Sequence, residues 1–127
     1  MSLKEYFDEV KGVGILSTAD EKGQVDAAIY ATPHVLDEGT VAFIMRERLT
    51  HYNVTKNPKA CYLFMENSPG YEGKRLYLTK IGEEKNSEQL FKLRRRNHKY
   101  VGPEETLFLV TFSVDEVLPL LCKEDLC

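Results

Sequence analysis

The sequence predicts a mainly β protein, a small barrel with a few helices packed on its outside. Three observations predict it. Apolar runs of strand length recur along the chain, separated by short polar turns. Two of them, 40–46 and 59–66, are apolar on both faces, as strands are when each side is covered. The helical stretches are short and fall one to each longer connection. With 127 residues, 43% hydrophobic and 29% charged, the chain is expected to form one domain, 1–127, with its own core.

The elements follow in order. Leu3, Tyr6, Phe7 and Val10 have helical spacing, so 2–11 reads as an amphipathic helix, ended by Gly12 and Gly14. Val13–Thr18 reads as a strand closed by the turn Asp20-Glu21-Lys22-Gly23. A second strand is expected from Gln24 to Val35 and a third, after Asp37-Glu38-Gly39, from Thr40 to Arg46, the three forming a meander. Thr50 is expected to open a two-turn helix that Asn57-Pro58 stops, because the residue before a proline disfavours the helical region. Lys59–Glu66 is the next strand, and Tyr71–Ile81 another. Asn86–Arg96 reads as a helix with Asn86 as cap, Gln89 at the capping-box position, and Arg94, Arg95 and Arg96 near its end, where cations suit the dipole. Thr106–Phe112 is the last strand, and Ser113 with Glu116 has the spacing of a capping box opening a short final helix.

Charge and motifs narrow the function. Lys and Arg number 17 against 20 Asp and Glu, a net charge of −3, which argues against non-specific nucleic-acid binding. No run approaches a membrane span, and MSLKEYFDEV lacks a signal-peptide core. Cys61, Cys122 and Cys127 form no CxxC pair, and an odd number without framework spacing argues for reduced thiols in a cytoplasm. Cys61 reads as core; Cys122 and Cys127 are either reactive or incidental. His34, His51 and His98 are scattered, so no metal site is expected. No GxSxG, GxGxxG or P-loop is present.

The segment TVAFIMRERLTHYNVTKNPKACYLFM, Thr40 to Met65, carries the clearest chemical pattern. Arg46 and Arg48 leave a strand two residues apart and so point the same way in an extended segment. Arginine grips phosphate with paired hydrogen bonds. Thr50 can cap the next helix or offer its hydroxyl to a phosphate oxygen, beside free amides at the helix start. Asn53 lies one turn on. Composition alone equally allows two solvated arginines and a plain cap. His51 has two readings, ligand contact or a surface residue of the first turn. Tyr30 is either a barrel-wall aromatic or a ligand contact. Arg94–Arg96 is either a solvated helix end or a site for an acidic ligand.

Gly14 to Glu66 resembles the first half of the FMN-binding split barrel of the pyridoxamine 5'-phosphate oxidase-like family. The resemblance is carried by GILSTADEKGQVDAAIYA as first hairpin and by VAFIMRERLTHYNVTKNPKACYLF as strand, helix and strand, with Asn53, Asn57 and Pro58 in the family's positions. It continues more loosely through Arg75-Leu76-Tyr77-Leu78 and FLVTF. It implies a Greek-key-like split barrel, a homodimer with FMN at the subunit interface, and a small-molecule substrate or redox partner. By resemblance, Arg46, Arg48, Leu49, Thr50 and Asn53 surround the phosphate and ribityl chain. The backbone of Ala28, Ile29, Tyr30 and Ala31 runs beside the flavin ring, and Lys74, Arg75 or Tyr77 reaches the site, from this subunit or its partner. No side chain stands out as an acid, base or nucleophile, which agrees with a cofactor that carries the chemistry.

The resemblance implies an FMN-dependent oxidoreductase passing hydride or electrons between flavin and a small substrate. The alternatives are a non-catalytic flavin-binding or electron-transfer module serving a separate enzyme, and a relative that has exchanged FMN for haem or a deazaflavin. Pyridoxamine-phosphate oxidase activity itself is not expected, since the chain has no Trp and ends in LCKEDLC.

Overall fold

Four residues tie together the two ends of the sheet, and that connection sets the architecture. The computed structural model describes residues 1–94 and 106–121. Among them, seven strands form one antiparallel sheet: β1 Gly12–Ala19, β2 Val25–Ile29, β3 His34–Asp37, β4 Thr40–Arg46, β5 Lys59–Glu66, β6 Gly73–Lys85 and β7 Leu107–Pro119. Their order is β2-β1-β5-β6-β7-β4-β3, so β2 and β3 are opposite ends. Laid flat, those ends would stand about 29 Å apart, six strand spacings. Residues 30–33 can span roughly 17 Å at most. The sheet must therefore curl until its ends approach, which makes it a barrel.

The expected strand Gln24–Val35 is thus two strands. Pro33, which is buried, has no N–H to give to a ladder, and the chain leaves the sheet before it. The expected meander is corrected with it: β2 pairs with β1, and β3 pairs with β4.

Inward residues fill the barrel. Leu16, Val41, Phe43, Tyr62, Phe64, Leu76 and Phe112 are all buried in one cluster. Helix α1 (Leu3–Glu9) adds Leu3, Tyr6 and Phe7 to it and is opened by a Ser2–Glu5 capping box. A second cluster lies on the other face of β4 and β7, where Leu90 of α3 (Glu88–Leu93) meets Ala42, Leu107 and Leu109. So β4 is covered on both sides. The second face of β5 is not: Cys61 and Leu63 are half-buried and Met65 is exposed. Cys61 is therefore not core. It stands opposite Ser17 and Tyr77 on the outward face, and burial pushes its thiol up although Arg75 pulls the other way.

Two ends differ from the sequence reading. Ser87, not Asn86, caps α3, its Oγ accepting the Leu90 N–H at 3.1 Å. Asn86 takes a left-handed turn (φ 45°) and accepts the Leu107 N–H through Oδ1 at 2.8 Å. Gln89 accordingly holds no capping-box position. Ser113 and Glu116 open no helix, because β7 runs straight through them. The long edge of β6 offers a ladder as far as Lys74, and a register slip at Tyr77/Leu78 takes up the odd residue. Tertiary pairing overrides the local capping signal. Arg94 is the C-cap of α3; Arg95, Arg96, His98, Cys122 and Cys127 lie outside the described residues. Among the described residues no helix is long and apolar enough to cross a membrane.

Candidate functional site

Where β4 ends, the chain makes a tight turn into α2 (Leu49–Lys56). The Arg48 N–H donates to the Arg46 carbonyl at 2.8 Å. Arg48 is extended (φ −137°, ψ −171°), so the two arginines keep the same-side relation of a strand. Arg48 rather than Thr50 is the N-cap, and no side chain caps the helix. Thr50 is instead a buried residue of the first turn. The amides of that turn have no partner within the helix.

A cleft of about 350 Å³ opens between the end of β2, the end of β4 and this first turn; Ala28, Ile29, Tyr30, Ile44, Arg46, Arg48 and Thr50 line it. That volume lies in the range of small-ligand pockets. Among the described residues that line the cleft, the charged ones are Arg46 and Arg48. The Tyr30 phenol and the Thr50 hydroxyl both belong to this lining. Burial pushes the phenol up and the Thr50 hydroxyl pulls it down less, so it stays neutral at physiological pH. Its ring stands edge-on to Phe43 at 5.8 Å.

The main chain at Tyr30 is fixed from behind. Its N–H donates to the Gly14 carbonyl at 3.0 Å, and its carbonyl accepts the Tyr62 hydroxyl at 3.1 Å. Gly14 is required for that approach, since a Cβ there would overlap the Tyr62 hydroxyl. The strand end that walls the cleft is thereby held to the barrel core.

Arg46, Arg48, Thr50, Ala28, Ile29 and Tyr30 thus meet at one cleft, while the other expected contacts do not. Asn53 is buried behind the helix, its Nδ2 donating to Thr18 Oγ1 at 3.1 Å and tying α2 to β1; its Oδ1 is buried without a partner among the described residues. Leu49 is exposed at the helix start, and Ala31 is exposed beyond Tyr30. Arg75 lies on the outward face of β6, with Nε donating to the Pro119 carbonyl at 3.0 Å. Lys74 sits 4.6 Å over the Tyr6 ring, and Tyr77 is an exposed residue of the outward face. His51 turns to Glu83 at 2.9 Å and stacks on Phe108. Ile44, Gly14 and Tyr62 were not expected here. Ile44 could have been found from its two-residue spacing to Arg46, and Gly14 from being a glycine inside a strand.

No protein-family model matches the chain, and no curated protein matches it in sequence. Solved structures match its fold. An FMN-binding protein from Syntrophomonas wolfei subsp. wolfei has a TM-score of 0.76 at 15% identity, covering 97% of this chain and 86% of that one. A protein related to general stress protein 26 of B. subtilis (pyridoxinephosphate oxidase family), from Clostridium acetobutylicum, has a TM-score of 0.66 at 13% identity, with 91% and 83% covered. HutZ, the heme storage protein from Vibrio cholerae, has a TM-score of 0.63 at 17% identity, with 93% and 94% covered. The chain has the split-barrel fold of pyridoxamine 5'-phosphate oxidase-like proteins, as the resemblance implied.

Proposed function

We propose that this protein is an FMN-binding flavoprotein, an oxidoreductase that passes hydride or electrons between flavin and a small substrate. One observation carries the reading: Arg46, Arg48, Thr50 and the uncapped start of α2 converge on one cleft. That donor set fits a phosphate monoester dianion, with two guanidiniums, a hydroxyl and free amides. When bound, FMN supplies the redox chemistry. Arg46 and Arg48 grip the phosphate, and Thr50 with the first-turn amides completes its hydrogen bonds. Ala28 and Ile29 wall the cleft, and the neutral Tyr30 phenol offers a donor inside it.

The similarity to an FMN-binding protein supports the choice of FMN. A homodimer is part of the same reading. Val13, Ile15, Leu63, Met65 and Tyr77 form a partly exposed, largely apolar band on the outward face of β1, β5 and β6, and Ile29 carries that face to the cleft. A second copy would cover the band and close the open side of the cleft. A reducing cytoplasm suits its unpaired Cys61.

The test is direct. The purified protein should be yellow, bleach with dithionite, and release FMN on denaturation, identified by mass spectrometry. Arg46→Ala with Arg48→Ala should weaken FMN binding by about a hundredfold, two charge-assisted bonds at about tenfold each. Unchanged flavin content in that variant refutes the grip. The similarity to HutZ favours haem as the second reading; haem in the released fraction would establish it. Reversible flavin reduction without turnover of any small substrate would mark an electron-transfer module instead.

A further inference from the structure

The first turn of α2 is fastened by a side chain that does not line the cleft. His51, next to Thr50, lies flat on Phe108 of β7, with ring centroids 3.7 Å apart and planes 12° from parallel. Its Nε2 stands 2.9 Å from Glu83 Oε1, and Lys80 Nζ stands 2.6 Å from the same oxygen. The His51 and Lys80 side chains are only 13% and 15% exposed, Glu83 31%, so water screens these contacts in part. Burial alone would raise Glu83; hydrogen bonds from Lys80 and His51 outweigh it and hold the carboxyl below its usual value.

The backbone of β6 is shaped for this arrangement. Lys80 and Glu83 are three residues apart and would face opposite sides of a regular strand. The register of β6 on β7 slips between Lys80 and Gly82, and the extra residue, Ile81, returns both side chains to one side. A bulge that re-aims two charged groups beneath a helix start is a positioning feature. The helix has need of one, since Arg48 gives it no side-chain cap.

We propose that His51, Glu83 and Lys80 form a positioning clamp for the anion-binding turn. By seating the first turn of α2 on β6 and β7, they hold the Thr50 hydroxyl and the free amides where a ligand phosphate takes them. The clamp rests on the reading of the cleft as a site for a phosphorylated flavin. None of the three residues touches the ligand; they act through the helix.

A titration of FMN and of riboflavin, which has no phosphate, into ligand-free protein tests it. The wild type is compared with Glu83→Gln, which keeps the side chain's shape, and with His51→Leu. FMN affinity should fall about tenfold in each variant, the size of a misplaced helix-terminus contact to an anion. Riboflavin affinity should stay within about twofold. Equal losses for both flavins would mean general loosening and overturn the clamp, and so would an unchanged FMN affinity. A wild type that binds FMN no more tightly than riboflavin removes the phosphate site itself, and the clamp with it.

Discussion

Replacing Gly14 by Ala sets two opposed effects against each other at the wall of the cleft. Gly14 is not at positive φ. Alanine there would on backbone grounds alone stabilise the fold by about 0.4–1 kcal/mol, through the unfolded chain. The Cβ, however, would overlap the Tyr62 hydroxyl and stand 2.7 Å from the Tyr30 carbonyl oxygen. Tyr62 has little room to retreat: it is fully buried, with Phe43 at 5.1 Å and Phe7 at 6.2 Å between ring centroids. Overpacking of this kind costs about 1–3 kcal/mol, and the lost Tyr62–Tyr30 hydrogen bond about 1 kcal/mol more. The clash wins, and the net loss is about 1–3 kcal/mol. At roughly 4 °C per kcal/mol for a chain of this size, Tm should fall about 4–12 °C. Gly82 is the control: a Cβ there meets nothing within 4 Å, and its φ is not positive. Gly82→Ala should leave Tm unchanged or raise it slightly. Far-UV circular dichroism melts measure both. A Gly14→Ala Tm equal to or above that of Gly82→Ala refutes the packing argument.

Leu90→Ala should cost about 2–4 kcal/mol in urea unfolding, because Leu90 is the buried anchor of α3 and is 0% exposed; a loss under about 1 kcal/mol would mean that the site collapses around the gap. Tyr6 donates to Glu66 at 2.6 Å, and burial first, then Glu66, raise its pKa well above the ordinary 10.0. The fold favours the neutral phenol, so this stability is intact below pH 10 and lost as pH rises toward the folded-state value. The wild type should therefore lose Tm above pH 10 more steeply than Tyr6→Phe; parallel curves would sink the assignment. Leu63→Arg, on the outward face of β5, should halve the mass seen by sedimentation equilibrium if two copies pair there, and an unchanged mass would argue against that face.

The sequence alone determined the elements whose signals are local. The bounds of β4 and β5 follow from apolar runs between turn residues, and the end of α2 from Asn57-Pro58. Arg46 and Arg48 could be placed together because spacing in an extended segment fixes direction. The tertiary structure decided what depends on distant partners. The sequence reading ran one strand from Gln24 to Val35, and only closure of the barrel shows that 30–33 carries the chain from one sheet end to the other. Ser113 and Glu116 satisfy a capping pattern until the edge of β6 offers their backbones a ladder. Tyr30 joins Thr50 in the cleft, while Asn53, one turn along from Thr50, turns to Thr18. The bulge at Ile81 places Lys80 and Glu83 under His51. Propensity and spacing act within a few residues, whereas register and side-chain pairing across the sheet are fixed only when strands far apart in sequence meet.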